Sequence, residues 1–376
     1  MARIHTGICD LLKIDFPILL AGMGSPLAER EFNASGPKLV AAVCEAGGMG
    51  FIGGAPLYAE ELREQIREVK RLTNRPFGVD LLMPMNIPPT MEGAAKALGV
   101  PKETVQKAQQ FVESLMKTLD VPEPTGRPRP FPAEDLVRSQ LDVVFEEGVS
   151  ALATGLGVNP SIVSGLHERH MRLFCLVGNV KTALRVADIG ADVIVATGYE
   201  SGGHTGRVGT MALIPQVVDA VSPIPVIAGG GIGDGRGLAA ALSLGAQGVW
   251  CGSRFLATHE ALIPDFVKKN ILDASEEDTL IQKVFTGKTA RTIKCRVVEM
   301  WQESGIPTLP MPLQGMVMNR LLRGLIQSNK HEYVAGFAGQ VIGMVKEIEG
   351  ARDLFDRMVQ QAVHLLRDEL PALVVS

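Results

Sequence analysis

Short apolar runs that stop at or beside a glycine recur along this chain, and that recurrence restricts its fold more than any other feature. They are Pro17-Ile-Leu-Leu-Ala-Gly22, Met49-Gly-Phe-Ile-Gly-Gly54, Pro76-Phe-Gly-Val-Asp-Leu-Leu82, Ser150-Ala-Leu-Ala-Thr-Gly155, Leu173-Phe-Cys-Leu-Val-Gly178, Val193-Ile-Val-Ala-Thr-Gly198, Pro225-Val-Ile-Ala-Gly-Gly230 and Gly248-Val-Trp-Cys-Gly-Ser253. None shows the polar alternation of a half-exposed strand. Each reads as a strand buried on both faces, which occurs when helices cover both sides of a parallel sheet. Stretches with apolar residues at helical spacing lie between many of them, over 38–47, 58–72, 134–147 and 181–189. Eight such strands exceed the five to seven of a doubly wound sheet and predict an α/β fold of the (β/α)8 TIM-barrel type.

The rhythm pauses after the third strand. Residues 83 to 133 contain Pro84, Pro88, Pro89, Pro122, Pro124, Pro128 and Pro130 around a polar helical stretch at 102–119. This is an insertion, and a break of such length in a compact domain is either a surface decoration or a lid over the site. After residue 259 no strand pattern is evident. Helices are expected at Ile263–Ala274, Met316–Asn329, Val341–Ile348 and Ala351–Leu370, giving a barrel over 1–259 and a mainly helical region over 260–376 packed on it. The last helix places Leu354, Met358, Val359, Ala362 and Leu366 on one face, a stripe suited to core packing or to a homodimer contact.

Charge excludes several kinds of partner. Lys plus Arg number 37 against 41 Asp plus Glu, so no broad positive field invites nucleic acid or an anionic membrane. No apolar stretch is long enough to span a bilayer, and Asp10, Lys13 and Asp15 interrupt any export signal. The five cysteines, at 9, 44, 175, 251 and 295, form no Cys-x-x-Cys pair and fit a reducing compartment. A cytoplasmic enzyme acting on a small molecule is the expectation.

Two glycine-rich regions carry the chemistry. After the sixth run, Thr197-Gly-Tyr-Glu-Ser-Gly-Gly-His-Thr-Gly206 delivers His204 to a turn in which Gly202, Gly203 and Gly206 permit close backbone approach. An imidazole in such a place can exchange a proton near neutral pH. After the seventh and eighth runs, Ala228-Gly-Gly-Gly-Ile-Gly-Asp-Gly235 and Cys251-Gly-Ser-Arg-Phe255 lie where barrels commonly bind phosphate. Gly229, Gly230, Gly231 and Ser253 can approach one anion, and the helix expected to open near Arg236 would add its dipole. Gly48-Met-Gly-Phe-Ile-Gly53 matches Gly-x-Gly-x-x-Gly, but it enters a strand instead of leaving one, the reverse of the dinucleotide-binding context. His167 and His170 lie three apart with no third ligand at metal spacing, so no metal site is expected.

These motifs together resemble the nitronate monooxygenase family. Tyr199-Glu-Ser-Gly-Gly-His-Thr-Gly206, Ile227-Ala-Gly-Gly-Gly-Ile-Gly-Asp-Gly-Arg-Gly237 and Gly252-Ser-Arg-Phe-Leu-Ala-Thr258 carry the likeness, supported by Pro17–Met23, Arg75–Val79, Thr286–Arg291 and Ala338-Gly-Gln340. The resemblance implies a barrel binding FMN, with the phosphate on Gly230, Gly231, Gly252 and Ser253 and the flavin ring against Ala21, Gly22 and Met23. It also implies Asp80, Gly178, Gly202, Gly203, Gly229 and Gln340 as cofactor contacts and His204 as the catalytic residue. The implied reaction is oxidation of an alkyl nitronate, with O2 reoxidising the flavin, to a carbonyl compound and nitrite. This chain has Asp80 where many members carry Asn, Leu176 where some carry Lys, and Phe337 where some carry Ser. Gly209-Thr-Met-Ala-Leu-Ile-Pro-Gln216 resembles flavin-dependent enoyl reductases, which implies NAD(P)H as a co-substrate in the alternative reading, with an enoyl thioester or quinone as acceptor. A barrel that holds a phosphorylated ligand without turnover is the second alternative.

Overall fold

In a computed structural model, residues 3–24, 32–84, 87–128, 130 and 133–374 are described. Strands β1 (Ile18–Leu20), β2 (Met49–Gly53), β3 (Gly78–Leu82), β4 (Ala151–Gly155), β5 (Arg172–Val177), β6 (Val193–Thr197), β8 (Val226–Gly229) and β9 (Gly248–Cys251) form a closed barrel. All its pairings are parallel, and β1 closes on β9 with Leu19 opposite Trp250. The eight expected strands are all present. The fourth one pairs with both neighbours, Asp80 lying opposite Ala153 and Ala153 opposite Phe174.

The runs lack polar alternation because both strand faces are buried. Leu19, Phe51, Ala153, Phe174, Val195, Ile227 and Trp250 belong to one apolar cluster, whereas Ile18, Leu20, Ile52, Leu152, Ile194 and Val249 join the cluster that includes the surrounding helices. Phe51 is the pivot of the first cluster, its ring centroid 4.6 Å from that of Trp250 and 5.1 Å from that of Phe174. Gly78 makes room for it, since a Cβ there would sit 2.3 Å from the Phe51 ring. The helix Gly7–Leu12 joins the same cluster beside the start of β9, where Thr6 Oγ1 donates to Gln247 O at 2.6 Å.

Outside the barrel the arrangement departs from expectation in three ways. The first is a three-stranded antiparallel sheet in the supposedly helical region. Strands β10 (Thr279–Gln282) and β11 (Ala290–Ile293) form a hairpin, and β11 also pairs with β7 (Gly203–His204) from the histidine turn. Each of these strands is four residues or fewer and mixes polar with apolar side chains, so neither length nor periodicity marks it. Second, the segment expected to be helical over 341–348 is a 3-10 turn at Gln340–Met344, and an unforeseen helix covers Arg296–Glu303.

Third, the last helix belongs to the barrel. Ala351–His364 packs against the helices Gly235–Ser243 and Pro37–Glu45, with Leu354, Met358 and Ala362 fully buried in the barrel's outer core. It takes the place of the eighth barrel helix, so the apolar stripe is intramolecular core. The chain therefore leaves the barrel after β9 and returns to it near residue 351. Between those points it builds a second core with the insertion: Lys102–Thr118 lies against Leu313–Gln327, and Val112, Leu115, Trp301, Leu313 and Leu321 share one cluster.

Candidate active site

A cavity of about 900 Å3 opens at the C-terminal ends of the barrel strands. The residues expected to hold a cofactor line it, except Gly229 and Gln340. Gly229 ends β8, where its carbonyl accepts from Gly198 N at 2.9 Å, and the Gln340 N–H donates to Glu200 O at 3.0 Å. Both act as framework for the loops that do reach the cavity.

His204 reaches it on a strand instead of a free turn. Pairing of β7 with β11 sets His204 opposite Ala290, and its Nε2 lies 3.0 Å from Thr286 Oγ1. The Thr286 hydroxyl can donate to Lys288 O at 3.2 Å, in which case Nε2 carries the ring proton and Nδ1 is the free base. Burial, assisted by the charge of Lys288, lowers the His204 pKa to about 4. At neutral pH the ring is therefore uncharged and able to accept a proton.

Lys288 also lines the cavity, still in contact with solvent, and desolvation lowers its pKa. Among the described residues no carboxylate forms an ion pair with it. The sequence marked the motif around Lys288 but assigned it no role, because only the β10–β11 hairpin brings it beside the histidine.

Close backbone approach explains the glycines of the histidine turn. A Cβ on Gly202 would lie 2.7 Å from Ala338 C and Gly339 N, and Gly203 has φ +72°. Gly178 and Gly206 pack backbone to backbone, a Cβ on the first meeting Gly206 Cα at 3.1 Å. Across the cavity, a Cβ on Gly22 would overlap Asp80 Cβ at 2.1 Å, so Ala21, Gly22 and Met23 run directly over that side chain. Asp80 is buried, and desolvation raises its pKa well above the ordinary carboxyl value, favouring the neutral acid.

The glycine loops after β8 and β9 reach the cavity, whereas the start of the helix after them does not line it. Gly230 and Gly231 both have positive φ, +86° and +75°. Ser253 Oγ accepts from Gly339 N at 2.8 Å, which leaves its hydrogen free to donate. The helix Gly235–Ser243, by contrast, is capped by its own neighbours: Asp234 Oδ1 accepts from Arg236 N at 2.9 Å and Gln361 Oε1 accepts from Gly235 N at 2.9 Å. Its N-terminus already faces a carboxylate, which corrects the expectation that its dipole serves the phosphate.

Two further side chains escaped sequence reasoning. Thr197 Oγ1 and Ser201 Oγ are buried without a hydrogen-bond partner, and both residues line the cavity. Orphaned hydroxyls in such a place fit a polar ligand that completes them. Thr197 ends β6, a position that in barrels reads as functional, and this was the available signal.

A closed parallel barrel with a cavity carrying a neutral histidine at the C-terminal ends of its strands is the architecture of (β/α)8 enzymes. Within that class the chain belongs to the nitronate monooxygenase family, whose model matches residues 5–361, and it is an oxidoreductase. Rv1533 of Mycobacterium tuberculosis, whose name carries the general term monooxygenase, is 37% identical over 375 residues, covering 96% of this chain and 97% of that one. Among solved structures, nitroalkane oxidase from Streptomyces ansochromogenes is 26% identical with a TM-score of 0.80, covering 98% of this chain and 99% of that one. FabK from Thermotoga maritima is 28% identical with a TM-score of 0.77, covering 99% and 100%.

Proposed function

We propose that this protein is an FMN-dependent nitronate monooxygenase that oxidises small alkyl nitronates with O2 to a carbonyl compound and nitrite. The observation that carries the reading is that His204, hydrogen-bonded to Thr286, and Lys288, whose charge is felt at the ring, both line the cavity. A nitronate is an anion with two adjacent oxygens. Lys288 offers it charge, and the uncharged His204 stands beside that cation without adding a second charge.

The residues present fit the cofactor. Gly230, Gly231, Gly252 and Ser253 would hold its phosphate, Thr197 and Ser201 supply the unpartnered hydroxyls, and Ala21–Met23 with Asp80 would lie against the ring. Bound FMN supplies the electron transfer. Asp80 in its neutral form resembles the amide that many relatives carry there, with a donor and an acceptor and no charge to repel an anionic substrate. His204 and Thr286 orient the substrate, and the surrounding loops limit water.

The likeness of Gly209–Gln216 to flavin-dependent enoyl reductases favours one second reading, a reductase fed by NAD(P)H. Anaerobic stopped-flow separates the two. Rapid bleaching of the flavin by a short alkyl nitronate, with no response to NADH or NADPH, is the expected result. Bleaching by a nicotinamide and not by the nitronate would overturn it.

A further inference from the structure

A second cleft, of about 630 Å3, lies where the helix Gly235–Ser243 begins against the middle of the helix Ala351–His364, with Met344 of the 3-10 turn also lining it. Among the described residues it shares no lining residue with the active-site cavity. Its charge is one-sided. Arg236, Arg254 and Arg357 line it, and Asp234 is the one carboxylate among the described residues that do. Glu347 and Asp353, which act on the charge of Arg357, are not part of the lining.

The three guanidiniums are incompletely used. Arg254 is 5% exposed, and its Nη2 donates to Glu349 Oε1. Arg357 Nη2 donates to that same oxygen at 2.6 Å, so one carboxylate serves two cations. Arg254 Nη1 is buried with no hydrogen-bond partner, a state that an acceptor normally relieves when the donor is charged. Arg236 is held by Asp234 through Nε at 2.8 Å and Nη2 at 2.7 Å, which leaves its Nη1 without a partner among the described residues. The start of the helix Gly235–Ser243 adds no donor, because Gln361 and Asp234 already cap it. The arginines are therefore the recognising groups. A guanidinium presents a planar fork of N–H donors that matches the oxygens of a phosphate, and it keeps its charge at any physiological pH.

We propose that the cleft lined by Arg236, Arg254 and Arg357 is a second binding site, which takes a phosphate group, free or esterified to a small metabolite. Arg254, buried and tied to Glu349, is its fixed donor. Arg236 and Arg357, both exposed, supply the adjustable contacts and the remaining charge. This site stands apart from the oxidoreductase chemistry and does not rest on the nitronate reading.

The test titrates inorganic phosphate and phenyl phosphate into the protein saturated with FMN, by calorimetry and by thermal melts, in chloride buffer of constant ionic strength. Saturable binding is expected, with phosphate alone sufficient if the group is free and the ester clearly tighter if it is carried by a metabolite. Arg236→Gln and Arg357→Gln each remove one charge-assisted contact and are expected to weaken Kd roughly tenfold or more. Both positions are exposed, and melts without phosphate report their folding. Ser253→Ala, in the active-site cavity, is expected to leave that Kd unchanged. Neither heat nor stabilisation from either probe overturns the proposal. Binding of undiminished strength in both folded arginine variants overturns it as well, and its loss in Ser253→Ala would then place the phosphate in the active-site cavity.

Discussion

Lys288→Met tests the electrostatic account of the histidine directly. His204 is held at a pKa of about 4 against an ordinary 6.5, a gap worth roughly 3 kcal/mol. At pH 5.5 such a ring is neutral in about thirty molecules for each protonated one, whereas the ordinary value leaves about ten protonated for each neutral. Burial is the larger cause and the Lys288 charge the smaller. Removing the cation therefore raises the pKa without restoring 6.5, and the acid limb of kcat/KM moves upward with it. The linkage has a definite sign. The folded pKa lies below the unfolded one, so His204 costs no stability above about pH 6.5. It becomes progressively destabilising as pH falls toward 4, and adds nothing further below that. Histidine-selective NMR titration, with His204→Gln to assign the resonance, measures the pKa without reference to turnover. A wild-type His204 that titrates near 6.5, or a pKa that fails to rise in Lys288→Met, would refute the reasoning.

Asp80→Asn should bind FMN as well as the wild type near neutral pH, because the wild-type side chain is already biased to its neutral form. Its stability should differ in pH dependence. A raised folded pKa gives the wild type stability at low pH that is lost as pH rises toward that pKa, so the Asn variant should gain on the wild type in denaturant melts as pH is raised. Gly202→Ala should cost about 1–3 kcal/mol, since its Cβ would meet backbone atoms of Ala338 and Gly339 at 2.7 Å and neither can swing aside. FMN titration of the same variant should show weaker binding, because Gly339 N donates to Ser253 Oγ, one of the groups proposed to hold the phosphate; unchanged affinity would detach that proposed site from the histidine turn.

The barrel was legible because a strand buried on both faces is written locally. Phe51, Phe174 and Trp250 point inward while their neighbours Ile52, Cys175 and Val249 pack outward, so each segment shows its burial in its own composition. The tight glycine turns after β8 were legible for the same reason, the positive φ of Gly230 and Gly231 being a local demand. The setting of His204 was not. It depends on β11, whose pairing with Gly203 and His204 spans more than eighty residues and leaves no periodic trace. Arg291, on that strand, is buried and donates through Nη1 to Thr279 Oγ1 at 2.9 Å and through Nη2 to Tyr199 O at 3.1 Å. It ties the start of the histidine turn to the hairpin that also carries Thr286 and Lys288. Glycines at 202, 203 and 206 suggest a mobile loop when only the sequence is in view. In the fold, Gly202 and Gly206 admit the backbones of residues 338–339 and 178, and Gly203 lies on the strand paired with β11. The absence of side chains that signals flexibility locally is, at long range, the condition for close packing, and that packing gives the histidine a fixed position.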